Sequence, residues 1–231
     1  MIILLQSTLS INCYNYIMIK HIWFDLDATL THETKQYRLE HDKFAANLFT
    51  EVMNRTDCPL GVEEYRQLRK ENDSINSKVF ENVAHKDDKF WADNLSRWDN
   101  TLLFDYAEHE DVREVLAEFS KKVPISIYTN TSKRRLRNIM KHLGYDASLF
   151  VHLMAGENVP ERKPSVLGYE YIVELSGLEA GYNVYVGDKV PGDIIPASKV
   201  GMQTVLVGSE SSEADFSGAN ISDLRSVLKI G

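Results

Sequence analysis

Seven side chains in this sequence have types that could do chemistry together: Asp25, Asp27, Thr129, Asn130, Lys163, Asp188 and Asp193. Carboxylates can serve as nucleophiles, as general acids and bases, or as oxygen ligands of a hard cation. A lysine and a threonine hydroxyl are complementary groups that can neutralise and hydrogen-bond an anion. Taken singly, each residue has an ordinary explanation. An aspartate after a strand is commonly a turn or a cap, Thr-Asn before a helix is commonly an N-cap, and Lys-Pro is commonly a loop. Their meaning depends on whether the chain brings them to one place.

The elements that must position them are legible as short apolar runs. His21–Phe24, Val123–Tyr128, Phe150–Ala155, Val184–Val186 and Met202–Val207 lack alternation and are rich in β-branched and aromatic residues. Such runs predict strands buried on both faces. Amphipathic patterns predict helices over Glu110–Lys121, over Ser132–Leu143 with Gly144 as the stop, over Pro164–Ser176 with proline at the first helical position, and over Ile221–Leu228 capped by Ser222. Strands alternating with helices predict an α/β fold with a doubly wound parallel sheet. Ligands in such sheets bind beyond the carboxyl ends of the strands, which is where the seven residues fall. Residues 32–107 break the rhythm. Phe44, Leu48, Phe49, Val52, Tyr65, Leu68, Phe90, Trp91, Leu95 and Trp98 recur at helical spacing there, predicting an all-helical insert whose tryptophans pack its own core.

Composition narrows the function classes. The 231 residues are 43% hydrophobic and 26% charged, and 34 acidic against 26 basic residues give a formal charge of -8. That balance argues against a nucleic-acid partner, so the basic run Lys133, Arg134, Arg135, Arg137 and Lys141 is expected to be the solvated face of a helix. Two separated cysteines, Cys13 and Cys58, make no disulfide framework and suit a cytoplasmic protein. No apolar run is long enough for a membrane span. Residues 1–17 read as an appendage ahead of a second start at Met18, with an added strand or docked tail as the alternative. The oligomeric state is left open.

The motifs Phe24-Asp25-Leu26-Asp27-Ala28-Thr29-Leu30, Ile127-Tyr128-Thr129-Asn130, Lys163-Pro164 and Val186-Gly187-Asp188-Lys189-Val190-Pro191-Gly192-Asp193-Ile194 resemble, in order, those of the haloacid dehalogenase superfamily. Ala197 and Gly201-Met202 continue the likeness, which extends over residues 21–207. The resemblance is to the phosphatase branch with a helical C1-type cap. Ala28 departs from the glycine of many members. The resemblance implies a Rossmann-like core over residues 20–31 and 108–231, a cap over 32–107 hinged near 31–36 and 104–109, and an N-terminal extension over 1–19.

It further implies a Mg²⁺-dependent phosphate monoester hydrolase acting on a small phosphorylated metabolite, such as a nucleotide, phosphoglycolate or a sugar phosphate. Asp25 would be the nucleophile and form an aspartyl phosphate. Asp27 would protonate the leaving alkoxide and then activate water. A dehalogenase, which expels halide, typically lacks that second aspartate. Mg²⁺ would be held by Asp25, the Asp27 carbonyl and Asp188, while Lys163, Thr129 and Asn130 would bind the phosphoryl oxygens. Asp193 would orient Lys163 or a metal-bound water. His32, by its place just beyond the first motif, is expected to be a hinge residue, with a substrate contact as the alternative. A phosphomutase and a non-catalytic binding member of the superfamily are the alternatives.

Overall fold

The computed structural model describes residues 18–87, 89–98, 106–109, 111–218, 220–228 and 230, without the side chains of 96–98, 106 and 107. Six parallel strands form the main sheet, in the order β5-β4-β1-β6-β7-β8. These are β1 (His21–Phe24), β4 (Ile125–Tyr128), β5 (Phe150–Met154), β6 (Asn183–Gly187), β7 (Gln203–Val207) and β8 (Phe216–Gly218). The first five lie within or beside the apolar runs. β8, with only Phe-Ser-Gly, has no such run to announce it.

β1 sits at the centre, flanked by β4 and β6, and every residue of all three is buried. Side chains alternate across a strand, so β1 feeds two cores. Ile22 and Phe24 join Val115, Leu116, Phe119, Leu136 and Ile139 of helices α5 (Val112–Phe119) and α6 (Lys133–Leu143). Trp23 joins Tyr128, Tyr185, Tyr169 and Ala197, the last two from α7 (Val166–Ser176) and α8 (Ile195–Lys199). Helices therefore cover both faces. Ile19, placed in the N-terminal extension on sequence grounds, is buried in the first core and bridges to Ile230. The appendage proposed for residues 1–17 lies outside the described residues.

Local chemistry sets several boundaries. Ser132 caps α6 by accepting from the Arg135 N–H, and Gly144 ends it with φ +66°. That left-handed conformation suits a residue without a Cβ. Two expected starts are corrected. Helix α7 begins at Val166 with Ser165 as its cap, so Pro164 lies before the helix. The C-terminal segment is a 3-10 turn, Ile221–Asp223, capped by Asn220 rather than Ser222, followed by α9 (Leu224–Val227). Asparagine wins there because its side chain reaches the Ser222 N–H from outside the turn.

The insert holds α1 (Lys35–Val52), α2 (Val62–Lys70), α3 (Asn76–Asn82) and α4 (Phe90–Trp98). They share a separate core of Ala45, Ala46, Phe49, Tyr65, Val79, Phe80 and Trp91. Trp91 stacks on Phe80 at 5.4 Å, while the side chain of Trp98 lies outside the described residues. The insert is entered and left through a short antiparallel pair absent from the sequence expectation, β2 (Thr31–Glu33) with β3 (Tyr106–Glu108). His32 lies in β2, its ring 5.2 Å from that of His109. Among the described residues no helix is long and apolar enough to cross a membrane.

Candidate active site

Strand register assembles the site. Phe24 pairs with Ile127 on one side and with Val186 on the other, so the residues that follow all emerge at one sheet edge. Asp25 leaves β1, Thr129 and Asn130 leave β4, and Asp188 leaves β6. The Asp25 N–H still donates to the Val186 carbonyl at 2.8 Å, which fixes the start of its loop.

Lys163 is the hub. Its Nζ donates to Asp25 Oδ1 at 2.7 Å, Asp193 Oδ1 at 2.8 Å and Tyr185 Oη at 2.9 Å. The Tyr185 hydroxyl in turn donates a hydrogen bond to the Tyr128 carbonyl at 2.8 Å. Three acceptors match the three protons of an ammonium. Burial opposes the charge on Lys163, but Asp193 and Asp25 outweigh it and raise its pKa well above the ordinary lysine value. Asn130 sets the Lys163 backbone: its Nδ2 donates to the Lys163 carbonyl and its Oδ1 accepts from the Lys163 N–H, both at 2.8 Å. The Asn130 side chain is thus taken up by the Lys163 backbone. Thr129 is buried, and its Oγ1 accepts from the Thr131 N–H at 3.2 Å.

Asp193 sits in a π-helical turn, Val190–Ile194, where its Oδ2 also accepts from the Lys189 N–H at 3.0 Å. A Cβ on Gly187 would lie 2.5 Å from the Asp193 Cβ, so only glycine lets this aspartate pack against the end of β6. Ala28 adopts φ +65°, a left-handed position at which its methyl is strained. That conformation accounts for the glycine of related motifs at this place.

Carboxylate oxygens of Asp25, Asp188 and Asp193 lie within 4.8 Å of one another. The pKa of Asp25 is raised to about 7, first by burial, with Lys163 opposing and the neighbouring carboxylates adding to the rise. That of Asp188 is raised to about 6, again first by burial, with Lys189 opposing and Asp193 adding. The Asp188 Oδ1 is buried with no hydrogen-bond partner. A buried carboxylate oxygen lacking a donor is costly. An all-oxygen donor set with excess negative charge suits a hard divalent cation. Oxygens around an octahedral Mg²⁺ are roughly 3–4 Å apart, close to the spread seen here. The residues present therefore fit a hard divalent cation. Asp193 joins this carboxylate group as well as contacting Lys163, which sequence spacing did not separate.

Asp27 lies just beyond, paired with Thr31 through a backbone bridge and partly exposed. Its Oδ1 is 3.8 Å from Nη2 of Arg135. Arg135 and Tyr185 were not among the expected site residues. Arg135 was visible only as one member of a basic run, and Tyr185 only as one residue of an apolar strand.

The family model for haloacid dehalogenase-like hydrolases matches residues 22–207. The chain belongs to that family. Its similarity to curated relatives includes a phosphoglycolate phosphatase of Neisseria meningitidis, 26% identical over 201 residues that cover 82% of this chain and 80% of the relative. It also includes a glyceraldehyde 3-phosphate phosphatase of Methanocaldococcus jannaschii, 22% identical and covering 92% of this chain and 97% of the relative. The haloacid dehalogenase fold is shared with a phosphatase from Thermococcus onnurineus at TM-score 0.64 and 22% identity, covering 90% and 97% of the two chains. CbbY from Rhodobacter sphaeroides, solved in complex with phosphate, matches at TM-score 0.67 and 20% identity over 90% and 96%. This haloacid dehalogenase-like hydrolase thus shares its family with the first two relatives' matched region and its fold with the two solved structures.

Proposed function

We propose that this hydrolase cleaves monoesters of a small phosphorylated metabolite through an aspartyl phosphate on Asp25. The observation that carries the reading is the Lys163 ammonium bridging Asp25 and Asp193 at 2.7 and 2.8 Å, beside an Asp188 oxygen with no partner. A phosphate ester entering at this edge meets a carboxylate nucleophile, a buried cation and the end of α6. At that end Ser132 caps the helix and Glu157 Oε2 accepts from the Lys133 N–H at 2.8 Å, so a carboxylate already neutralises part of its positive end. Thr129 and the Asn130 N–H border the same space.

In the first step an Asp25 oxygen attacks phosphorus while the bond to the leaving alkoxide breaks. The Asp27 carboxyl gives its proton to that oxygen, so an alcohol departs and a carboxylate remains. In the second step Asp27 takes a proton from water as the water attacks phosphorus. The bond between Asp25 and phosphorus breaks, releasing inorganic phosphate. Such proton transfer contributes about 10²–10⁴ in rate. Lys163 neutralises the phosphoryl oxygens and, tethered by Asp193 and Tyr185, stays in place through both steps. Mg²⁺, held by Asp25, the Asp27 carbonyl and Asp188, would lower the repulsion between the phosphoryl group and the carboxylates.

The curated relatives named phosphoglycolate phosphatase and glyceraldehyde 3-phosphate phosphatase support small three- and two-carbon phosphates as first candidates. The α1–α4 insert packs around its own apolar core, which supports a cap that moves as a unit. A panel of metabolite phosphates, assayed with Mg²⁺ for free phosphate, tests the reading with wild type beside Asp25→Asn. Release of phosphate by wild type alone is expected. Failure on every ester would count against it, and an isomeric sugar phosphate instead of free phosphate would make the protein a mutase.

A further inference from the structure

The basic run at the start of α6 does not form one solvated face. Lys133, Arg134, Arg137 and Lys141 are exposed, as expected, but Arg135 is only 6% exposed. Burying a guanidinium costs several kcal/mol unless partners compensate it. Its partners span the two parts of the molecule. Nη2 donates to the hydroxyl of Tyr37, in the first turn of α1, and the guanidinium carbon lies 5.4 Å from the centre of that ring. The same Nη2 lies 3.8 Å from Asp27 Oδ1. Tyr37 is itself fully buried and belongs to the core beneath the sheet rather than to the core of the insert. One side chain thus reaches both the site carboxylate next to the nucleophile and the root of the first cap helix.

We propose that Arg135 is a positioning residue for Asp27, held in place by Tyr37, so that proton delivery to the leaving group depends on how the first cap helix is seated. The inference rests on the proposed phosphatase reading, in which Asp27 protonates the departing alkoxide. At 3.8 Å the guanidinium and the carboxylate form an ion pair without a hydrogen bond, which draws the Asp27 carboxylate toward Arg135, and an angular error at the proton donor is costly. The Tyr37 hydroxyl, which accepts from the same Nη2, fixes the guanidinium from the cap side.

The test compares two esters that differ in their need for the proton. p-Nitrophenyl phosphate expels a stable phenolate and needs little acid help. The best alkyl phosphate from the metabolite panel expels a strongly basic alkoxide and needs it. The quantity to read is kcat/KM, which covers the steps up to leaving-group departure and excludes hydrolysis of the aspartyl phosphate. Arg135→Met should lower kcat/KM for the alkyl ester about tenfold more than for the aryl ester. Arg135→Lys should recover part of the difference, and Tyr37→Phe should show the same split at smaller size. Equal losses on both esters, or no loss, would reduce Arg135 to a structural strut and overturn the inference. Should Arg135→Met not fold, as judged by circular dichroism, Arg135→Lys and Tyr37→Phe decide by the same split. Wild type inactive on both esters would instead overturn the phosphatase reading, and the inference with it.

Discussion

Lys163 and Asp25 form a buried ion pair in which the ammonium lies 2.7 Å from a carboxylate whose pKa is already raised to about 7 by burial. The pair ties nucleophile and cation together before any substrate arrives. Lys163 has three acceptors and is bound on both sides of the site, by Asp25 and by Asp193.

Lys163→Met removes the cation and leaves the carboxylates crowded. Loss of a comparable charged donor at a reacting centre costs roughly 10²–10³ in kcat. Breaking one side of a buried pair destabilises by about 3–5 kcal/mol. Urea unfolding without divalent cations and steady-state assays with Mg²⁺ check both. The stability loss should shrink when Mg²⁺ is added, because the cation takes over part of the neutralisation.

The carboxylates set a pH dependence of the metal-free protein. Asp25 and Asp188 have folded pKa values near 7 and 6, above the ordinary aspartate value of 3.8. Between 3.8 and about 7 the folded state keeps protons that the unfolded state has lost. Their contribution to stability therefore falls as pH rises through that window. Mg²⁺ binds the ionised forms, so the rise in Tm it produces should be larger above pH 7 than near pH 5. Melting curves with and without Mg²⁺ at the two pH values test this. An equal rise at both would contradict it.

Ala28 offers a test of local strain. A non-glycine residue in the left-handed region costs about 1–2 kcal/mol, offset in part by the greater chain entropy of glycine. Ala28→Gly should stabilise the protein by roughly 0.5–1 kcal/mol in chemical denaturation, with little change in kcat. A destabilised variant would mean that the methyl contributes packing that outweighs the strain.

The sequence made the central sheet readable because β1, β4 and β6 are buried on both faces and so carry unbroken apolar runs. It made Asp25, Lys163 and Asp188 readable because strand ends in a parallel sheet share an edge. Strands β2, β3 and β8 were hidden by their three-residue length, too short to show a period. Arg135 was hidden for a different reason. The other cations of the run are exposed, and Arg135 is buried against residues distant in sequence, among them Tyr37, 98 residues earlier in the chain. Asn130 shows the same limit: an N-cap-like residue by spacing, it clasps the backbone of a loop 33 residues away.

The most direct measurement is to trap the covalent intermediate. Acid quench of the enzyme during turnover with Mg²⁺ and a substrate, followed by peptide mass spectrometry, reads where the phosphoryl group sits. It should be found on the peptide carrying Asp25, and be absent in Asp25→Asn, which should also release no phosphate. Full phosphate release by Asp25→Asn, with no phosphoryl group on Asp25 in wild type, would contradict nucleophilic attack by this residue.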